Sequence, residues 1–283
     1  MLDILILGGN RFSGKLVTEK LYNQGHNITV LNRTGTAPVP CKIIQGDRND
    51  ESWLKSALQD KFFDCIVDMC LYRLEQAKKS IPIFESSTNR YVFISSIAAY
   101  QQSEVFPINE NHPSGPWPIH GDYGIEKLKI ERYLPSFKGL SYVILRPTYV
   151  IGKNNHHNRE GYYFDKILNN EPIDIEGDGK AILSFVFVED VANIIVILAT
   201  SSKLPKEVYN ICNDEFITIK GFIELLSGVI GKSVPLNTVD EVVSFKNEHC
   251  FFSNEKVKKY LNYKFKSLKQ GISELYEHAY KIP

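Results

Sequence analysis

The sequence predicts an α/β fold, a doubly wound parallel sheet with a smaller C-terminal α/β cap, and three observations predict it. Short runs rich in Ile, Val, Leu and Phe alternate with helix-length segments from residue 3 to about residue 150. Those runs are continuously apolar rather than alternating, which suits strands buried on both faces. The first run also ends in a glycine turn that leads directly into a helix-forming segment, the entry to a βα unit.

The strands are read at residues 3–7, 27–31, 42–45, 64–68, 90–95 and 141–146, and the helices between them at 15–23, 51–59, 73–85 and 123–134. After Gly152 the pattern changes to a polar loop at 153–161, a helix near 162–168 and a turn at Gly177-Asp178-Gly179. A strand at 184–188, a helix at 189–200 and a strand at 207–211 resume the first pattern and are expected to return to the large sheet. The division is therefore 1–152 plus 184–211 as one domain, with 153–183 plus 212–283 as the cap.

Composition excludes several classes. Thirty-three basic residues balance thirty-three acidic ones in 283 residues, so no global field attracts nucleic acid or an anionic membrane. No apolar run reaches the roughly 18 residues a membrane span needs. Five scattered cysteines without a C-x-x-C pair point to a reducing compartment, and a cytoplasmic location is expected. His112, His120, His156 and His157 include no helical i, i+4 pair, so no metal is expected. The loop carrying Trp117 and His120 reads as solvated.

Tyr123-Gly124-Ile125-Glu126-Lys127 carries the chemistry. On a helix, positions four apart share a face, which sets an ammonium beside a phenol. A nearby cation favours the ionised phenol and suits it to proton exchange with a substrate oxygen. About thirty residues earlier an apolar strand ends in Ser95 and Ser96.

The first strand runs into Gly8-Gly9-Asn10-Arg11-Phe12-Ser13-Gly14. Glycines at such a turn admit a pyrophosphate that the helix N-terminus then holds, as in a dinucleotide-binding Rossmann domain. At the end of the second strand Asn32 and Arg33 stand where an acid would bind the ribose of NAD. A guanidinium there suits a 2′-phosphate, so NADP is favoured over NAD.

With these motifs in order, the chain resembles the extended short-chain dehydrogenase/reductases, the NAD-dependent epimerase/dehydratase family, along nearly its whole length. Gly8–Gly14 resembles the family's G-x-x-G-x-x-G, with Arg11 in place of the middle glycine. Gly46-Asp47-Arg48, residues 93–100, residues 145–152 and residues 185–192 resemble four further family segments. The resemblance implies a Ser96–Tyr123–Lys127 site: Tyr123 as general acid/base, Lys127 lowering its pKa and holding the nicotinamide ribose, Ser96 orienting the carbonyl. Ser95 competes for the last role, and the spacing to Tyr100 favours Ser96. The resemblance further implies cofactor contacts from Gly8, Asn10, Arg11, Phe12, Gly14, Asn32, Arg33, Asp47, Arg48, Met69, Cys70, Leu71, Lys127, Pro147 and Tyr149. It also implies a substrate-binding cap for a small-molecule substrate, and a homodimer built on helices 73–85 and 123–134.

Two departures narrow the reaction. Sugar dehydratases of the family carry an acidic pair after the serine, and this chain has Ile97 and Ala98. Nucleotide-sugar members present an arginine to the substrate diphosphate where Leu183 stands here, with Arg159 and Lys180 of the neighbouring loop the candidates to substitute for it. The leading expectation is oxidoreduction of a carbonyl or secondary alcohol. A nucleotide-sugar epimerase and a non-catalytic cofactor- or RNA-binding protein are the alternatives.

Overall fold

The computed structural model describes residues 1–155, 157–241 and 243–281. His156 therefore lies outside the described residues. The elements in chain order are β1 (Asp3–Leu7), α1 (Phe12–Asn23), β2 (Asn27–Asn32), β3 (Lys42–Gln45), α2 (Glu51–Leu58), β4 (Cys65–Asp68), α3 (Leu74–Glu85) and β5 (Arg90–Ile94). A 3-10 turn at Ile97–Ala99 precedes α4 (Gly121–Tyr133), β6 (Ser141–Pro147), β7 (Tyr149–Ile151), α5 (Arg159–Leu168), β8 (Ile173–Glu176) and β9 (Ile182–Phe187). They are followed by α6 (Val188–Thr200), β10 (Glu207–Ile211), β11 (Phe216–Thr218), α7 (Ile219–Ile230), β12 (Leu236–Val239), α8 (Glu255–Leu261) and α9 (Leu268–Leu275). Two compact units emerge: residues 1–104, 110–147 and 191–211, and residues 105–109, 148–190 and 212–283.

The first unit is built on a seven-stranded parallel sheet of order β3-β2-β1-β4-β5-β6-β10. Its inner strands are apolar on both faces because helices cover both. Leu5, Leu7, Ile66, Phe84, Tyr91, Phe93 and Ile130 form one buried cluster. Each such side chain contributes about 1.5–3 kcal/mol on burial. The strand order reverses between β1 and β4, and at such a point the strand ends leave a crevice for a ligand.

Helix ends in this unit are satisfied unequally. Asp50 caps α2 by accepting from the Trp53 amide at 2.9 Å, the expected role of an aspartate there. Glu126 of α4 reaches across to accept from Leu74 N, the first residue of α3, at 2.8 Å. No side chain caps α1, whose N-cap position is Arg11 in an extended conformation.

The second unit holds a three-stranded sheet of order β11-β9-β7 and a parallel pair, β12-β8. Its core is aromatic. Phe185 stacks on Phe222 with ring centroids 4.7 Å apart, and Tyr163 lies parallel to Phe245 at 5.8 Å. Tyr163, Phe164, Phe185 and Phe187 are all buried here. Buried Glu160 ties the polar loop together, accepting from Gly152 N at 2.8 Å and Asn155 Nδ2 at 2.7 Å.

Several sequence expectations need correction. The strand expected at 184–188 does not return to the large sheet; as β9 it pairs with β7 and β11 instead. Only β10 returns, parallel to β6. Helices α1 and α4 begin earlier than expected, at Phe12 and Gly121. Trp117, read as part of a solvated loop, is buried with its ring edge-on to His120 at 5.2 Å. Among the described residues no helix is long and apolar enough to cross a membrane.

Candidate active site

The glycine loop and the turn after β4 meet where the sheet order reverses. Gly8 has φ +86°, and a Cβ on it would lie 3.2 Å from Cys70 Cβ. A Cβ on Gly14 would stand 2.0 Å from the Gly8 carbonyl oxygen. Helix α1 thus starts against the loop backbone at a distance only glycine permits. Thr18 secures this contact, its hydroxyl lying 3.0 Å from Gly9 O and 2.9 Å from Gly14 O. Arg11 takes the family's middle-glycine position at φ −132° and ψ 150°, a conformation open to any residue. Its presence there leaves the turn intact. An uncapped helix start behind a cradle that a Cβ would fill fits the pyrophosphate of a dinucleotide.

The amides expected to touch cofactor also shape the loop itself. Asn10 Nδ2 donates to Thr36 O at 2.6 Å and to Thr36 Oγ1 at 2.9 Å, tying the glycine loop to the segment after β2. Asn32 Oδ1 accepts from Thr34 N at 3.0 Å and Gly35 N at 2.8 Å, forming the turn that displays Arg33. Arg33 and Arg11 are both exposed. Asp47 Oδ1 accepts from Asn49 N at 2.9 Å in a local turn.

Arg48 departs from expectation. It is buried, donating from Nη1 to Asp68 Oδ1 at 2.7 Å and from Nη2 to Ser80 Oγ at 2.7 Å. Its guanidinium braces the loop before α2 against β4 and α3.

Lys127 sits at the centre of the remaining residues. It is 2% exposed, and its Nζ donates to Leu71 O at 2.7 Å and Ile94 O at 2.8 Å. The ammonium lies 5.0 Å from the ring centroids of Tyr72 and Phe93 and 5.7 Å from that of Tyr123. Burial lowers its pKa to about 8, with Asp68 the leading opposing influence. Met69, Cys70 and Leu71 therefore border both the glycine loop and the lysine. Burial pushes the Cys70 thiol up to about 11, which makes it an unreactive neighbour.

Helix α4 is pressed onto the serine turn at Gly124, where a Cβ would stand 2.0 Å from Ala98 O. This approach fixes Tyr123 and Lys127 relative to the turn that carries Ser96. Ser96 Oγ accepts from Ala98 N at 3.2 Å, capping the turn while its side chain stays partly open. Ser95 points the other way, buried and hydrogen-bonded to Glu131. Tyr123 is 44% exposed. Pro147 is buried at the end of β6. Tyr149 belongs to the second unit, with the Arg159 guanidinium 5.3 Å from its ring.

Sequence reasoning missed the buried charges beneath these residues. Glu131 accepts from Arg146 Nε at 2.9 Å and pairs with Nη2, and Arg146 also reaches Ser114 Oγ at 3.1 Å. Asp68 is fully buried between Arg48 and Tyr91. The available signal was a charge inside an apolar strand, Asp68 after Cys65-Ile66-Val67 and Arg146 after Val143-Ile144-Leu145. Such a charge must be paired.

The family model for the NAD-dependent epimerase/dehydratase family matches residues 4–212. The chain belongs to that family. Its seven-stranded parallel sheet flanked by helices is that of an extended short-chain dehydrogenase/reductase. Among its relatives, the chloroplast stem-loop binding protein of 41 kDa b from Arabidopsis thaliana is 26% identical, over 96% of this chain and 78% of that protein. UDP-glucose 4-epimerase from Corynebacterium glutamicum is 24% identical, over 83% of this chain and 82% of that protein. The crystal structure of Thermus thermophilus UDP-glucose 4-epimerase in complex with NAD superposes with a TM-score of 0.80 at 19% identity, covering 98% of each chain. Homologues and structural neighbours of this family member thus include nucleotide-sugar epimerases.

Proposed function

We propose that this chain is an NAD(P)-dependent oxidoreductase acting on a carbonyl or secondary alcohol through Ser96, Tyr123 and Lys127. The observation that carries it is the buried Lys127 ammonium beside the Tyr123 ring, on a helix locked by Gly124 against the Ser96 turn. A buried lysine whose charge is perturbed by burial and that lies beside a phenol supports a functional role. Gly8, Gly14 and the start of α1 would hold the dinucleotide pyrophosphate, and Met69, Cys70 and Leu71 would line the nicotinamide end. The dinucleotide, when bound, supplies the two-electron redox chemistry. Tyr123 moves a proton at the substrate oxygen, and Ser96 orients that oxygen by hydrogen bonding. Two Lys127 N–H groups go to Leu71 O and Ile94 O, leaving the third for a ribose hydroxyl.

The second reading is epimerisation of a nucleotide sugar, favoured by the epimerase among the relatives. Against it stands Leu183, fully buried in β9 where family members offer the diphosphate an arginine. A binding role without catalysis draws its support from the stem-loop binding relative, and neutral net charge weighs against it. Native mass spectrometry of the purified chain with its bound small molecules separates these readings. A dinucleotide with a small carbonyl or alcohol supports oxidoreduction. A retained NAD with a nucleotide sugar supports epimerisation. No dinucleotide, together with retention of a stem-loop RNA at physiological salt, overturns the enzyme reading.

Arg33 supports NADP over NAD, since it is the exposed cation displayed at the end of β2. Arg33→Ala is expected to weaken NADPH binding about tenfold or more while moving NADH binding less than about twofold, on the scale of a charge-assisted contact of about 1.5–3 kcal/mol. Titration by nucleotide fluorescence measures both. Equal losses for the two cofactors would remove Arg33 from the 2′-phosphate.

A further inference from the structure

Beneath the ammonium of Lys127 lies a charge pair that the proton-transfer residues do not explain. Asp68 ends β4 with no solvent exposure. Its Oδ1 accepts from Arg48 Nη1 at 2.7 Å and from Cys70 N at 3.3 Å, and its Oδ2 accepts from the Tyr91 hydroxyl at 2.7 Å. Ser80 on α3 holds the other arm of Arg48. Three donors, one of them a guanidinium, satisfy this buried side chain.

Sequence position and register put this carboxylate beside the lysine. The two carbonyls that bind Nζ belong to Leu71, three residues after Asp68, and to Ile94, next to Phe93. Phe93 is the residue of β5 paired with Asp68, and its ring also faces the ammonium. Lys127 therefore sits over the ends of β4 and β5 with Asp68 as the nearby anion on that side. We propose that Asp68, held by Arg48 and Tyr91, is a positioning residue that keeps Lys127 in its ammonium form in its buried site.

The groups acting on Lys127 come from every element around it. Asp68 and Glu131 favour its charge, whereas burial and Arg48 oppose it. Tyr72, Phe93 and Tyr123 present ring faces, which also favour a cation. Burial outweighs the rest, and the ammonium titrates near pH 8 rather than at the usual 10.5. Removing Asp68 leaves burial and Arg48 opposed only by weaker partners. The lysine would then lose its proton within the neutral range, and with it a donor for the ribose.

The inference rests on the reading of Lys127 as the ribose-holding residue, and its test separates the two. Lysine labelled with 13C at Cε is titrated by NMR in the full chain, the Lys127 signal being assigned by its loss in Lys127→Arg. Wild type should titrate near pH 8. Asp68→Asn should lower that midpoint by about one unit or more, the scale of a lost neighbouring charge. An unchanged or raised midpoint overturns the proposal. Because Asp68→Asn strands the Arg48 guanidinium, the double variant Arg48→Gln, Asp68→Asn is the second arm, neutral at both positions. Its midpoint should fall below wild type by a smaller amount, since an opposing cation leaves with the carboxylate. A midpoint at or above wild type overturns the proposal as well. NADPH affinity, measured in parallel, should fall as pH rises through each variant's own midpoint. If the midpoint moves and affinity does not follow, the role of Asp68 stands and the ribose-holding role of Lys127 falls.

Discussion

Tyr123→Phe is expected to slow turnover of the substrate by about 10²–10⁴-fold, the usual contribution of a positioned acid/base group. Dinucleotide affinity and thermal stability are expected to stay at wild-type levels. The reasons are structural. The Tyr123 ring is 44% exposed, so removing its hydroxyl opens no buried hole. Lys127 hangs from the Leu71 and Ile94 carbonyls and keeps its place when the phenol goes. Gly124, which presses α4 onto Ala98, is untouched. The measurement pairs steady-state rates on the co-purified substrate with an NADPH titration and a melting curve. Full activity in the variant would show that another group moves the proton, and the enzyme reading would lose its main residue.

This contrast between a dispensable contact and an indispensable atom bears on what the sequence revealed. The parallel sheet was legible because strands buried on both faces must be apolar throughout, as Ile4-Leu5-Ile6-Leu7 and Cys65-Ile66-Val67 are. The same rule misled at β9. Phe185-Val186-Phe187 is equally apolar whether it joins the large sheet or pairs with β7, because local hydrophobicity does not encode a partner strand. The glycine loop and the Tyr123–Lys127 spacing were legible since both are set by backbone geometry within a few residues.

Side-chain commitments across long separations were not legible. Arg48 follows Gly46-Asp47 and was expected beside the cofactor, yet its partner Asp68 lies twenty residues on, brought near by the sheet. The choice between Ser95 and Ser96 depended on the same kind of fact. Successive residues at a strand end face opposite ways, and the partner that claims Ser95 is Glu131, thirty-six residues later. Spacing to Tyr100 pointed to Ser96, and the contact of Ser95 with Glu131 leaves Ser96 the more open of the two hydroxyls.

Glu131→Ala is expected to destabilise the first unit by about 3–5 kcal/mol, the range for leaving one member of a buried ion pair alone. Glu131 is 6% exposed and Arg146 3%, so neither charge has water to fall back on. Glu131 also takes the Ser95 hydroxyl, and its loss leaves a second buried polar group without that acceptor. At roughly 2–4 °C per kcal/mol for a chain of this size, the melting temperature should fall by about 6–20 °C. The double variant Glu131→Leu, Arg146→Met separates the orphaned charge from the lost packing. It replaces both partners with apolar side chains of similar volume and should recover most of the melting temperature, because removing a whole buried pair is often close to neutral. If the double variant melts as low as Glu131→Ala, the loss comes from Ser95 and the packing of α4, and the ion pair contributes little. If it recovers stability but not turnover, the pair acts by fixing the serine turn against α4, as the role proposed for Ser96 requires.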